Sequence, residues 1–250
     1  MSRKRLDILL VDRGLCRSRS EAQSLILSGV VWSGQQRLDK AGTLTKLDLP
    51  IEVKEKSRFV SRAGEKLASI LEAHPIPVRD KVCIDVGAST GGFTDCLLQK
   101  GARQVFAVDV GYGQLDMNLR NDPRVVAMER TNARQLTLDQ LMEASPHARQ
   151  IDLLVMDVSF ISIQKILEPL HKELKEITHW VLLFKPQFEV GRKFIGRGGL
   201  VRSQEAVEEA LNHFGSWVSE LGFTIEIGPS ESPVPGKKSG NIEYLWYLKR

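Results

Sequence analysis

The chain is 250 residues long, with 42% apolar residues, 26% charged residues and a formal net charge of +4. These proportions are ordinary for a globular protein and exclude disorder, collagen and coiled coil as descriptions of the whole chain. No apolar run approaches the ~20 residues that cross a bilayer, and Val181-Leu182-Leu183-Phe184 is strand length. Arg3-Lys4-Arg5 is followed by an apolar stretch broken by Asp7 and Asp12, which makes a poor signal peptide. Cys16, Cys83 and Cys96 are far apart and odd in number, as expected of reduced thiols in a cytoplasmic protein rather than of disulfides or a zinc site.

The charge is uneven. Residues 1–60 hold 12 Lys/Arg against 7 Asp/Glu, whereas residues 61–250 hold 23 against 24. The surplus fits either an electrostatic footprint for a polyanion or a plain solvated basic face. This first segment reads as a small α+β module. Leu6, Leu9 and Leu10 before Arg13-Gly14 make a short amphipathic helix. Ser18 or Ser20 can cap a second helix over 21–27, which Ser28-Gly29 stops. Val30-Val31-Trp32 begins a strand, Ser33-Gly34-Gln35 turns, residues 49–53 make another strand, and 55–58 form a polar linker. Arg5-Leu6-Asp7, Ser18-Arg19-Ser20-Glu21-Ala22 and Ser28-Gly29-Val30-Val31 together resemble the RNA-binding module named after the fourth protein of the small ribosomal subunit. The resemblance implies that Arg3, Lys4, Arg5, Arg17 and Arg19 face structured RNA, contacting phosphates with affinity but little sequence specificity.

Residues 61–250 alternate strands and helices. Strands are predicted at 82–86, 104–109, 124–128, 151–157, 179–185 and 223–227, with helices at 93–99, 114–119, 136–143, 164–175 and 204–221. Several strands are apolar throughout, as in a parallel sheet buried on both faces. The pattern predicts an α/β domain with a doubly wound Rossmann-like sheet, its last strand, 242–248, running antiparallel. The Pro/Ser/Gly/Lys-rich loop 231–240 is expected to be mobile.

In an open α/β sheet ligands sit at the carboxyl ends of the strands. The first such end is Asp85-Val86-Gly87-Ala88-Ser89-Thr90-Gly91-Gly92-Phe93, which is neither GxGxxG nor a P-loop. It resembles motif I of S-adenosylmethionine-dependent methyltransferases, DxGxxxGGF, as found in FtsJ-like RNA methyltransferases, although those often carry proline where this chain has Thr90. The resemblance implies a cofactor cradle of Asp85, Gly87, Ser89, Gly91, Gly92 and Phe93. Asp109, at the next strand end, can accept the hydroxyls of an adenosine ribose or simply cap a turn. Asn132 can reach the adenine edge.

Asp157 ends the fourth strand, Lys185-Pro186 ends the fifth, Lys66 precedes the first and Glu243 opens the last. Singly, each has a plain reading as a turn cap, a solvated helix face or an edge-strand charge. Together they resemble the Lys-Asp-Lys-Glu tetrad of FtsJ-like ribose 2′-O-methyltransferases, and the whole chain resembles the TlyA (haemolysin A-like) family. That family implies methylation of 16S or 23S ribosomal RNA, or both, at ribose 2′-hydroxyls. A ribose hydroxyl is a weak acid, so transfer to it needs an aligned base. Lys185 is the expected base, oriented by the carboxylates, with Lys66 steadying the hydroxyl or its phosphate. Lys66 and the sulfonium would lower the Lys185 pKa while Asp157 and Glu243 would raise it, so the net sign is open. No metal is expected, since HExxH and clustered His/Cys are absent. The basic loop 191–199 and Lys237-Lys238 are further candidates for RNA contact. Three other functions stay in view: a haemolysin-like membrane-active protein, a non-catalytic RNA-binding or ribosome assembly factor, and a small-molecule or protein methyltransferase.

Overall fold

The computed structural model describes residues 3–54, 57–236 and 239–250. Glu55 and Lys56 of the expected linker, and Lys237-Lys238, lie outside the described residues. The chain forms two compact units, Met1–Ser57 and Arg58–Arg250.

In the first unit, β1 (Arg3–Arg5) leads into α1 (Leu6–Asp12) and α2 (Arg19–Leu27). Ser18 caps α2, its hydroxyl accepting from Glu21 N–H at 3.1 Å. Then follow β2 (Val31–Ser33), β3 (Gln36–Arg37), β4 (Leu44–Lys46) and β5 (Glu52–Val53). The order is β3-β2-β5 in one sheet, while β1 pairs antiparallel with β4. Leu6, Leu10, Ala22, Ile26, Val30 and Val31 form the small core. Sequence patterning missed β1, whose three consecutive charged residues carry no apolar alternation, and its three-residue partner β4, Leu44-Thr45-Lys46, which is too short to show a pattern. The strand expected at 49–53 shortens to two residues.

The second unit begins with α3 (Ala63–Ala73), β6 (Val82–Val86), α4 (Gly92–Gln99), β7 (Gln104–Val108), α5 (Met117–Arg120) and β8 (Val125–Met128). It continues with α6 (Leu138–Ala144), β9 (Ile151–Met156), α7 (Gln164–Glu173), β10 (His179–Phe184) and α8 (Pro186–Glu189). It closes with α9 (Gln204–Glu220), β11 (Thr224–Glu231) and β12 (Tyr244–Lys249). The seven strands order as β11-β12-β10-β9-β6-β7-β8. The pairs from β10 to β8 are parallel, and β12 is antiparallel to both β10 and β11, so the expected α/β sheet with an antiparallel last strand is present.

The β6 residues Ile84 and Val86 pack in one apolar cluster and Cys83 in another, so helices cover both faces. Each fully buried Leu, Val or Phe contributes roughly 1.5–3 kcal/mol. Strand β11 runs past its predicted end, through Gly228-Pro229, with two register shifts against β12. It is the sheet edge, the place where proline costs no ladder bond. Among the described residues no helix is long and apolar enough to cross a membrane.

Candidate active site

Strand order reverses between β6 and β9, the switch point where an open α/β sheet leaves a crevice at its carboxyl ends. Register sets what stands there. Val86 pairs with Met156, so Gly87 and Asp157 leave the sheet side by side, and Asp157 N–H donates to the Val86 carbonyl at 3.0 Å. A Cβ on Gly87 would lie 2.5 Å from the Asp157 carbonyl oxygen, and its φ is +86°, so glycine alone permits this approach. Phe184 pairs with Tyr244, which places Lys185 and Glu243 at the same sheet end from opposite strand directions. Lys66 arrives on α3. A Cβ on Gly92 would meet Ser61 Oγ at 2.2 Å and Gly64 N at 2.9 Å, so a bare glycine lets the α3 and α4 starts touch.

The four residues form two ion pairs, Lys66 with Glu243 and Lys185 with Asp157. Lys185 Nζ also donates to Ser159 Oγ at 2.9 Å. Lys66, Lys185 and Glu243 are 7%, 8% and 3% exposed. Buried charges persist only when paired or hydrogen-bonded, so this is a costly concentration of charge inside the domain. Two phenylalanines flank it. Phe160 is 87% exposed, with the left-handed φ of +68°. Its ring lies 5.5 Å from that of Phe188. Glu189 closes the arrangement by accepting from Ser162 Oγ at 2.7 Å and Ile163 N–H at 2.8 Å, which ties the segment after Asp157 to the helix after Lys185. Sequence reasoning passed over Phe160, Phe188 and Glu189, although each Phe sits three residues beyond a tetrad member.

The glycine-rich turn lies beside this cluster. Asp85 is fully buried, and its Oδ2 accepts from Thr94 N–H at 2.9 Å and Thr94 Oγ at 2.7 Å, bracing the first turn of α4. Its Oδ1 is buried without a protein partner, and burial pushes its carboxyl up to about 7. Asp109 accepts from Ser89 N–H at 2.8 Å and Gly111 N–H at 2.7 Å, and retains lone pairs for further donors. Gly91, at φ +94°, immediately precedes α4. Phe93 points into the core at 2% exposure, so its contribution is packing. Asn132 is exposed, accepts from Arg134 N–H at 3.1 Å, and lines a groove of about 610 Å³ with Arg134, Ile161 and Lys165. An orphaned buried carboxylate oxygen, a turn of glycines and a second carboxylate at the next strand end fit a nucleoside cofactor with a cationic end.

The description "FtsJ-like methyltransferase" matches residues 59–250, and "S4 domain" matches residues 4–47. This chain belongs to the TlyA family of FtsJ-like methyltransferases. The 16S/23S rRNA (cytidine-2'-O)-methyltransferase TlyA of Mycobacterium tuberculosis is 43% identical over 99% of this chain and 90% of its own. Hemolysin A of Brachyspira hyodysenteriae is 44% identical over 96% of this chain and 98% of its own. A solved structure from Streptococcus thermophilus, labelled a hemolysin, is 38% identical with a TM-score of 0.71, covering 100% of this chain and 89% of that one.

Within the S4-matching unit the basic side chains divide into two groups. Asp7 is fully buried and accepts from Arg5 at 3.0 Å, Arg19 at 2.8 Å and Gln23 at 3.2 Å. Those donors, Arg5 first, hold its carboxyl well below the usual range. Lys4 pairs with Asp12 at 2.5 Å. Arg13, read only as a helix end from sequence, donates to the Leu47 carbonyl and, at 2.6 Å, to the Leu49 carbonyl. Arg3 and Arg17 are exposed, and among the described residues neither makes an ion pair.

Proposed function

We propose that the protein transfers a methyl group from S-adenosylmethionine to ribose 2′-hydroxyls of ribosomal RNA. The observation that carries this reading is the ion-paired cluster of buried Lys66, Lys185 and Glu243 with half-buried Asp157, beside the glycine-rich turn at the sheet's switch point. A membrane-active protein, an assembly factor or a relict cofactor fold has no use for three buried charges and a half-buried fourth there. The M. tuberculosis relative is named for cytidine, so cytidine riboses are the first positions to test.

Asp85, Gly87, Ser89, Gly91, Gly92, Asp109 and Asn132 would hold the cofactor, the orphan oxygen of Asp85 accepting from a cationic end and Asp109 from ribose hydroxyls. When bound, that cofactor supplies an electrophilic methyl group. Lys185 Nζ, as the neutral amine left once its ion-pair proton has departed to solvent, takes the 2′-hydroxyl proton as the oxygen bonds to the methyl carbon and the carbon–sulfur bond breaks to leave a neutral thioether. The resulting ammonium is held by Asp157 and Ser159 Oγ, contacts already made. Lys66, fixed by Glu243, keeps positive charge near the reacting oxygen or its phosphate. Phe160 offers its ring face to a base unstacked beside the reacting ribose. Unit 58–250 carries this chemistry, and the unit before it docks RNA, with Arg3 and Arg17 as the readiest phosphate contacts and Lys4, Arg5 and Arg19 engaged within the fold. The place of work is the cytoplasm, with ribosomal subunits as partners.

The test is incubation with labelled S-adenosylmethionine and separate ribosomal subunits, followed by mapping of methylated riboses. Label at discrete 2′-oxygens, absent with K185A although that variant still binds the cofactor, supports the reading. No label in any RNA overturns it.

A further inference from the structure

Residues 191–201 follow the Lys185 strand end and are not a loose loop. Short helical turns at Arg192–Phe194 and Arg197–Gly199, the hydrogen bond from Gly196 N–H to the Leu200 carbonyl at 2.8 Å, and a bridge between Ile195 and Val201 close them into a compact hook. The hook exposes Arg192, Lys193 and Arg197, and among the described residues none of the three makes an ion pair.

What fastens the hook is one side chain from the far end of the domain. Asn241 is 5% exposed, and both ends of its amide are used: Nδ2 donates to the Gly199 carbonyl at 2.8 Å and Oδ1 accepts from Val201 N–H at 2.9 Å. Its own carbonyl accepts from Gly236 N–H at 2.9 Å. Two residues on is Glu243. Ile242 between them is 46% exposed while Glu243 is 3% exposed, the in–out–in alternation of extended chain, so Asn241 and Glu243 point to the same side. A Cβ on Gly236 would stand 3.0 Å from Glu243 Oε1, so the turn that Asn241 closes also packs on the tetrad carboxylate.

We propose that Asn241 is a positioning residue that couples the basic hook to Glu243, so that RNA phosphates held by Arg192, Lys193 and Arg197 are set in register with the reaction centre. This rests on the ribose methyltransferase reading. An amide is required because the hook offers one acceptor and one donor. Asp can satisfy Val201 N–H but sets an oxygen against the Gly199 carbonyl, and Ala satisfies neither.

The experiment measures methyl transfer to ribosomal subunits by wild type, N241A, N241D, the hook triple R192A/K193A/R197A, and the triple combined with N241A. N241A raises KM for the subunit about tenfold and lowers kcat less, with the Kd for S-adenosylmethionine unchanged. In the hook-neutralised background N241A adds less than about twofold, because residues acting through one another are non-additive. N241D, nearly isosteric, carries the same comparison if N241A melts early, and shows the same KM split. An unchanged KM in N241A and N241D, or effects of Asn241 and the hook that simply multiply, overturns the coupling. Wild type that labels no RNA overturns the methyltransferase reading instead.

Discussion

Lys66 and Glu243 stand 177 residues apart and meet in a buried ion pair. One comes from a helix before the sheet and the other from the start of its last strand, so this contact closes the second unit around its crevice. Removing one partner leaves a charge buried alone. K66M is expected to lose about 3–5 kcal/mol of stability in urea unfolding, whereas K66M/E243L recovers much of it. Both are expected to lose methyl transfer. Equal stability of the single and double variants would show that the pair does not hold the fold.

Gly87 governs the neighbouring pair. A methyl group there collides with the Asp157 carbonyl, and the positive φ adds strain. G87A is expected to shift Asp157 relative to Lys185 and to lower kcat by about 100-fold, the scale of a misplacement near 1 Å. Circular dichroism and single-turnover methylation separate this from unfolding.

How far the sequence foretold these arrangements depended on where each residue stood. The strands of the second unit are apolar along most of their length because both faces are buried, and that pattern is readable without a structure. Asp157, Lys185 and Glu243 are legible as charges at strand ends. Which lysine meets which carboxylate is not, because it depends on the β10–β12 register and on α3 packing against α4. Two motif I residues do structural work that no motif reveals: Phe93 fills the core, and Asp85 braces Thr94. The left-handed backbone that exposes Phe160 has no sequence signature, and the fold of the first unit rests partly on a strand of three charged residues.

Asp85 makes stability depend on pH. Its folded value of about 7 lies above the ordinary carboxylate value because burial disfavours the charged form. A group raised on folding stabilises fully below its unfolded pKa of about 4, and that contribution is lost as pH rises through about 7. The span corresponds to roughly 4 kcal/mol. D85N, which keeps an acceptor for Thr94 and carries no charge, is expected to flatten the decline. Denaturant unfolding of both proteins at several pH values from 4 to 8 measures it, and parallel profiles would remove Asp85 as the cause.

Phe160 exposes an aromatic face beside the tetrad, with Phe188 behind it. Stacking on a base is worth about 1–3 kcal/mol, so F160A is expected to raise KM for the ribosomal subunit by about tenfold or more. Cofactor Kd should not move. F160W should retain most of the activity, since an indole also has a stacking face.

The arginines of the first unit should separate by role. Arg17 is exposed and makes no ion pair among the described residues, so R17A is expected to weaken RNA binding uniformly across sequences and to reduce the salt slope of log K by about 1. Arg19 is spent on Asp7, which is 0% exposed and needs its donors. R19A therefore leaves a buried carboxylate short of a partner, at a cost of about 1–3 kcal/mol, and is expected to lower the melting temperature of the full chain before it alters the salt slope. Filter binding at several salt concentrations, with melting curves on the same samples, gives both readouts. An R19A that binds RNA like R17A and melts like wild type would place Arg19 on the RNA rather than on Asp7.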